Sequence, residues 1–339
     1  MGNRRLLPSG FLALSGLAAC ASARSGTPAA PDDAAPSGDA SAAYDVSLID
    51  SALDDAGVAL ATAQDDPSGI AVDSTNVYWT DLMGGAVMSV PKGAGGPRTL
   101  AAGRTAPYAV ATDATSVYWT EFSTAGNVMT ALLDGGTPIT LASAQSYPGS
   151  CIAVDATSVY WTTYSGGTVM SAPKGGGAPT TLAAGQGGPS CVAVNASTVY
   201  WTTYYDGTVM SVPLGGGPVA TLASGQTDPT WIAIDAASVY WTNQGSASND
   251  GSVVRVPLTG GGPTTLASSL NRPTGIAVDS TSVYWTDLVD GTILRAPLGG
   301  GAPVTLAAGQ GNPYAVTVDA TSLYWTNQNG GTVRALAPK

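Results

Sequence analysis

Between residues 190 and 229 the chain reads as four short apolar or alternating runs, each bounded by residues that favour turns. The runs are Val192-Ala193-Val194, Val199-Tyr200-Trp201-Thr202, Thr208-Val209-Met210-Ser211-Val212 and Ala220-Thr221-Leu222-Ala223. Each is too short for a stable helix, and its β-branched and aromatic content favours a strand. Asn195 opens the first turn, where a side-chain oxygen can accept a backbone N–H two residues on. Gly207 and the run Gly215-Gly216-Gly217-Pro218 supply the positive or fixed φ that the next two turns need. The predicted unit is a four-stranded antiparallel sheet.

This unit is copied along the chain. Tyr-Trp-Thr recurs at Tyr78-Trp79-Thr80, Tyr118-Trp119-Thr120, Tyr160-Trp161-Thr162, Tyr200-Trp201-Thr202, Tyr240-Trp241-Thr242, Tyr284-Trp285-Thr286 and Tyr324-Trp325-Thr326, at intervals of 40 to 44 residues. Such a period marks a stacked or radial repeat, and four-stranded antiparallel units repeated radially form the blades of a β-propeller. The last copy stops after its third strand, whereas Val58-Ala59-Leu60-Ala61-Thr62 matches a fourth strand. The expectation is an all-β, seven-bladed propeller over residues 57–339, closed by the N-terminal strand completing the last blade. Alternation along each second strand sends Trp to one blade face and Tyr and Thr to the other. These residues, with Met88, Met129, Met170 and Met210 at one third-strand position, are expected to form the core between blades.

Tyr78 to Asp81 and Tyr284 to Asp287 read Tyr-Trp-Thr-Asp, and both follow a Pro-x-Gly-Ile-Ala-Val-Asp lead-in that begins at Pro67 and Pro273. These segments resemble the YWTD (class B) repeat of low-density-lipoprotein-receptor propellers and its NHL relatives. The fourth motif position varies here through Glu121, Thr163, Thr203, Asn243 and Asn327, and the family's propellers have six blades. The resemblance implies the fold and a general role as an extracytoplasmic protein-binding platform.

The leader changes the picture. Arg4-Arg5 precede an apolar stretch over residues 6–19 that is too short to span a bilayer but fits an export signal. It ends in Leu17-Ala18-Ala19-Cys20, which resembles the lipobox of bacterial lipoproteins, in which the Cys becomes a lipidated N-terminus. Residues 1–19 are thus expected to be a signal peptide, read by the general or the twin-arginine route. Residues 20–56 would be lipidated Cys20 and an Ala/Pro/Ser/Asp-rich tether with no hydrophobic period. The expected location is the cell envelope, anchored by lipid alone and, with Ala21 after Cys20, at the outer membrane if the cell is Gram-negative.

Composition narrows the chemistry. There is no His and a single Glu, Glu121, so the usual general acids, bases and metal ligands are scarce and no enzyme activity, cofactor or metal is expected. A net charge of −11 disfavours nucleic acid. Asn249-Asp250-Gly251 in the longest loop matches no established calcium loop and reads as a solvated hairpin. Cys151 and Cys191 occupy equivalent first-strand positions in adjacent copies and form either a disulfide or two buried thiols; a bridge requires Cα atoms about 4.4–6.8 Å apart.

Because consecutive strands reverse, turns between strands four and one share a face with turns between strands two and three. Outside the core motif, every aromatic residue of the repeats falls on that face: Tyr108, Phe122, Tyr147, Tyr164, Tyr204, Tyr205, Trp231 and Tyr314. Aromatics on loops over a rigid scaffold suit recognition. The expected function is a monomeric scaffold that binds an envelope protein, peptide or glycan there, with Trp231 at the channel mouth as a plug or a stacking platform. The rival expectations are a purely structural envelope lipoprotein and a propeller-fold lyase, lactonase or glycosidase using Asp81 and Glu121 as paired carboxylates.

Overall fold

The computed structural model describes residues 57–339; the leader, Cys20 and the tether lie outside the described residues. Among these residues all 28 regular elements are strands, grouped in seven four-stranded antiparallel sheets. Blade 1 runs Pro67–Val72, Asn76–Asp81, Ala86–Pro91 and Arg98–Ala101, in that spatial order. Blades 2 to 6 repeat this arrangement from first strands Pro107–Thr112, Pro148–Val154, Pro189–Val194, Pro229–Ile234 and Pro273–Val278. Blade 7 takes three strands from the end of the chain, Pro313–Val318, Leu323–Asn327 and Thr332–Leu336, and its fourth, Val58–Ala61, from the beginning. Val58 stands opposite Ala335 and Ala61 opposite Val333. First strands pack on first strands from blade to blade, blade 7 against blade 1 included, so they line the axis of a closed ring.

The Tyr-Trp-Thr copies hold the ring through three kinds of contact. Trp of one blade and Tyr of the preceding blade share each core cluster: Tyr78 with Trp119, Tyr118 with Trp161, and so on to Tyr324 with Trp79. All seven indoles are fully buried. Each contributes about 4–6 kcal/mol of apolar burial before entropy is subtracted. The Thr hydroxyl works in two directions, as at Thr80, which accepts the Gly69 N–H at 2.9 Å and donates to the Tyr108 carbonyl of the next blade at 2.6 Å. Thr326 closes the series by donating to the Ser68 carbonyl at 2.8 Å.

The third contact lies at the turn between strands one and two. Asp113 accepts the N–H groups of Thr115 and Ser116 on one oxygen and the Tyr118 hydroxyl on the other. The same arrangement recurs at Asp73, Asp155, Asp235, Asp279 and Asp319, while Asn195 takes the place in blade 4. Lysines from the following blade pin three of these carboxylates: Lys174 on Asp113, Lys339 on Asp279 and Lys92 on Asp319, at 2.6–2.7 Å. Each ammonium also lies 5.3–5.7 Å from the centroid of the corresponding Tyr ring, a cation–π distance. This face, the lower rim, is tied up in its own structure.

Candidate binding face

The opposite, upper rim begins with a defect built into every blade. In blade 1, Pro67 faces Asp81 but Ile70 faces Trp79, so the inner strand carries one residue more than its partner; blade 3 carries two more. The resulting bulge frees a backbone N–H, which the motif Thr hydroxyl accepts at Gly69, Ala109, Cys191, Trp231 and Ala315. Bulges re-aim side chains. Here they bring Tyr314 of blade 7 into contact with both Tyr108 of blade 2 and Trp231 of blade 5. The Tyr108 and Tyr314 hydroxyls share a hydrogen bond, and the Trp231 ring stands edge-on to Tyr314 with centroids 5.5 Å apart. Gly69 and Gly275 precede the two Tyr-bearing bulges because a side chain there would strike the backbone of Tyr108 or Tyr314 at 2.5–2.6 Å.

Beneath these rings lies a cavity of about 160 Å³ lined by Gly69, Ala109, Cys151, Val192, Trp231 and Ile276, among others. Trp231 both lines it and touches Tyr314, which places it at the mouth of the axial cavity. Cys151 and Cys191 form a disulfide across the first strands of blades 3 and 4, with Cα atoms 4.7 Å apart.

The eight aromatics fall into two groups. Trp231, Tyr314, Tyr108, Phe122 and Tyr147 make a continuous chain with centroid separations of 5.0–6.1 Å. Tyr164, Tyr204 and Tyr205 form a second cluster at 5.4–6.3 Å. Tyr108, Tyr164 and Tyr314 are buried, Phe122, Tyr147, Tyr204 and Trp231 are half-buried, and Tyr205 is exposed. Rings this close leave no gap between them for a guest, so the exposed parts offer a floor and not a cage. Burial raises the pKa of Tyr108 and Tyr164, and that of Tyr314 to about 12, which keeps all three hydroxyls neutral.

Around this centre the residue before each lead-in proline has left-handed backbone. The seven are Asp66, Ala106, Tyr147, Gly188, Asp228, Arg272 and Asn312, with φ between 47° and 67°. Each carbonyl accepts the N–H of the residue after the motif's fourth position, from Leu82 in blade 1 to Gln328 in blade 7. One backbone turn is thus repeated seven times while its side chain changes completely. In the sequence the only trace of this ring is the fixed proline preceded by a variable residue.

The rim's carboxylates are mostly committed. Glu121 is buried, with one oxygen on Arg104 and the other accepting the Asn127 amide at 2.7 Å. Asp287 accepts the Asn271 N–H at 2.8 Å, Asp206 that of Gly187 at 2.6 Å, and Asp250 those of Ser246 and Ala247 in its own loop. Burial raises the pKa of Asp66, Asp81, Asp228 and Asp287, with neighbouring carboxylates adding to the rise. Among the described residues no three His, Cys, Asp or Glu side chains are grouped to hold a metal ion, and no helix is long and apolar enough to cross a membrane.

No protein-family model matches the chain, and no curated protein matches it. Solved structures do. A structure described as streptogramin B lyase superposes with a TM-score of 0.72 at 13% identity, covering 83% of this chain and 96% of that one. A virginiamycin B lyase from Staphylococcus aureus, bound to quinupristin and described as catalytically inactive after a histidine-to-alanine change, gives 0.70 at 14% identity over 83% and 98%. The WD40 propeller domain of Doa1 gives 0.67 at 13% over 84% and 96%. A nidogen/laminin complex gives 0.55 at 22% over 66% and 89%. At these identities the likeness is one of fold.

Proposed function

We propose that this chain is a lipid-anchored, extracytoplasmic binding scaffold with no catalytic role, which recognises an envelope protein, peptide or glycan on its upper rim. The carrying observation is the confinement of all eight non-motif aromatics of the described residues to that rim, in two contiguous clusters. The lower rim supports the reading by contrast, since its charged groups are engaged by neighbouring blades. Anchoring rests on the lipobox-like Leu17-Ala18-Ala19-Cys20. Combining Trp231→Ala, Tyr204→Ala and Tyr205→Ala should abolish retention on an array of peptides and oligosaccharides while leaving the fold intact by circular dichroism. Undiminished retention would count against the proposal.

A propeller lyase is the second reading, favoured by the two lyase neighbours. Against it stand the absence of histidine, the residue type whose loss is tied to inactivity in one neighbour's description, and the engagement of both Glu121 oxygens. If turnover of a lyase substrate were found, Glu121→Gln should abolish it were Glu121 the acid; near-native turnover would remove that assignment.

A further inference from the structure

Nine Lys and Arg side chains lie among the described residues. Three lysines pin lower-rim aspartates, Arg104 holds Glu121, and Arg98, Arg255, Arg295 and Arg334 donate to backbone carbonyls. Arg272, a half-buried residue, stands apart: among the described residues its guanidinium has no hydrogen-bond or ion-pair partner, and its positive charge opposes the rise in the pKa of Tyr204 and Tyr314 caused by burial. Arg272 also occupies one of the seven left-handed positions, with φ of 67°. A long side chain gains nothing from such backbone, and Gly188 fills the same turn in blade 4. The turn imposes this backbone in every blade, so what distinguishes blade 6 is the unpaired cation placed on it.

The ring of left-handed residues divides in two. Blades 5, 6, 7 and 1 present Asp228, Arg272, Asn312 and Asp66, whereas blades 2, 3 and 4 present Ala106, Tyr147 and Gly188, with Phe122 against Tyr147 and Tyr205 beside Gly188. One sector is polar with a single cation, and the other is apolar and aromatic.

We propose that Arg272 is the anion-recognising residue of the upper rim and that the ligand carries a carboxylate on an apolar group, the carboxylate meeting Arg272 and the apolar group lying over blades 2 to 4. This rests on the binding role proposed for that rim. A guanidinium fork matches a carboxylate in two parallel hydrogen bonds, and the Asn312 amide can add another donor. Asp228 in the neighbouring blade and Asp66 beyond Asn312 repel a second negative charge, which selects a monoanionic carboxylate over a dianionic phosphate. The chemistry is shared by the C-terminus of a peptide with an apolar last residue and by a small arylalkyl carboxylate.

The test uses the full chain and N-terminally fluorescein-labelled tripeptides ending in Phe, Leu or Ala, each as free acid, as carboxamide and as the analogue with a C-terminal phosphonate in place of the carboxylate, read by fluorescence anisotropy with 3-phenylpropionate and its amide as competitors. Free acids should bind roughly tenfold or more tightly than amides. Arg272→Gly should erase that preference with Tm unchanged or raised, and Arg272→Lys should keep part of it. Displacement by 3-phenylpropionate with no peptide bound would support the small-molecule source. Equal binding of acids and amides, no binding of any acid, preference for the phosphonate, persistence of the preference in Arg272→Gly, or a fall in Tm in that variant would each overturn the proposal. The combined Trp231, Tyr204 and Tyr205 variant separates the two claims: if it abolishes array retention while Arg272→Gly changes nothing, the rim binds ligands without Arg272.

Discussion

The two rims are made from the same seven repeats, yet they treat charge in opposite ways. On the lower rim Asp113, Asp279 and Asp319 are held as anions. Burial pushes Asp113, Asp279 and Asp319 up, but a lysine, two backbone N–H groups and a further side-chain hydroxyl outweigh it and hold each well below the usual range. On the upper rim burial prevails at Asp66, Asp81, Asp228 and Asp287, which are raised. The difference teaches where a repeat can vary. Turns that contribute to inter-blade adhesion converge on one chemistry, whereas turns whose adhesion is carried by backbone and by the motif Thr are free to differ.

The sharpest way to break this contrast is to remove a lower-rim carboxylate. Asp113→Ala strands two backbone N–H groups, the Tyr118 hydroxyl and Lys174, and should cost about 2–3 kcal/mol in denaturant unfolding. Alanine at Asp206 or Asp290 on the upper rim should cost less than half as much; equal losses would erase the distinction.

A pH series comes next. Lower-rim aspartates with depressed pKa contribute stability present above the unfolded value near pH 4, lost as pH falls through their lower folded values. Upper-rim aspartates with raised pKa act oppositely: they penalise folding at neutral pH, and protonation relieves the penalty as pH falls through their folded values. Tm is therefore expected to hold or rise on mild acidification and then fall below about pH 4. Combining Asp279→Asn with Asp319→Asn should flatten the acid limb, and an unchanged limb would deny those residues the role.

The smallest effect concerns the indoles. Trp79, Trp161, Trp201, Trp241 and Trp325 donate to Gln64, Gln145, Gln186, Gln226 and Gln310 at 2.9–3.1 Å. The Trp285 N–H is buried with no acceptor among the described residues, and Leu270 holds the matching position. Leu270→Gln should raise stability by about 1 kcal/mol, measured by calorimetry; a loss would show that the apolar packing of Leu270 is worth more.

Fold and blade count were legible because one motif carried them: Trp, Tyr and Thr each meet a neighbour that is itself a copy, so the period in sequence is the period in space. The two aromatic clusters were legible only as a shared rim, since contacts such as Tyr108 with Tyr314 join residues 206 positions apart. The bulges were hidden because the inner strand's extra residue breaks simple alternation. The left-handed ring was hidden because Ala106, Tyr147 and Arg272 are residue types that give no warning of positive φ.

Val58–Ala61 pairs with Thr332–Leu336, so the first strand to be synthesised finds its neighbour only when nearly the whole chain exists. Until then blade 7 has no outer edge, and blade 1 lacks the Tyr324 that packs with Trp79. A nascent chain must therefore keep one short segment uncommitted across six finished blades, and removal of Thr332–Leu336 takes away the partner of Val58–Ala61. Joining the ends and opening the chain instead between two blades, at Gly225, would leave every blade contiguous, turn that late, long-range pairing into a local hairpin and hasten the final step of assembly.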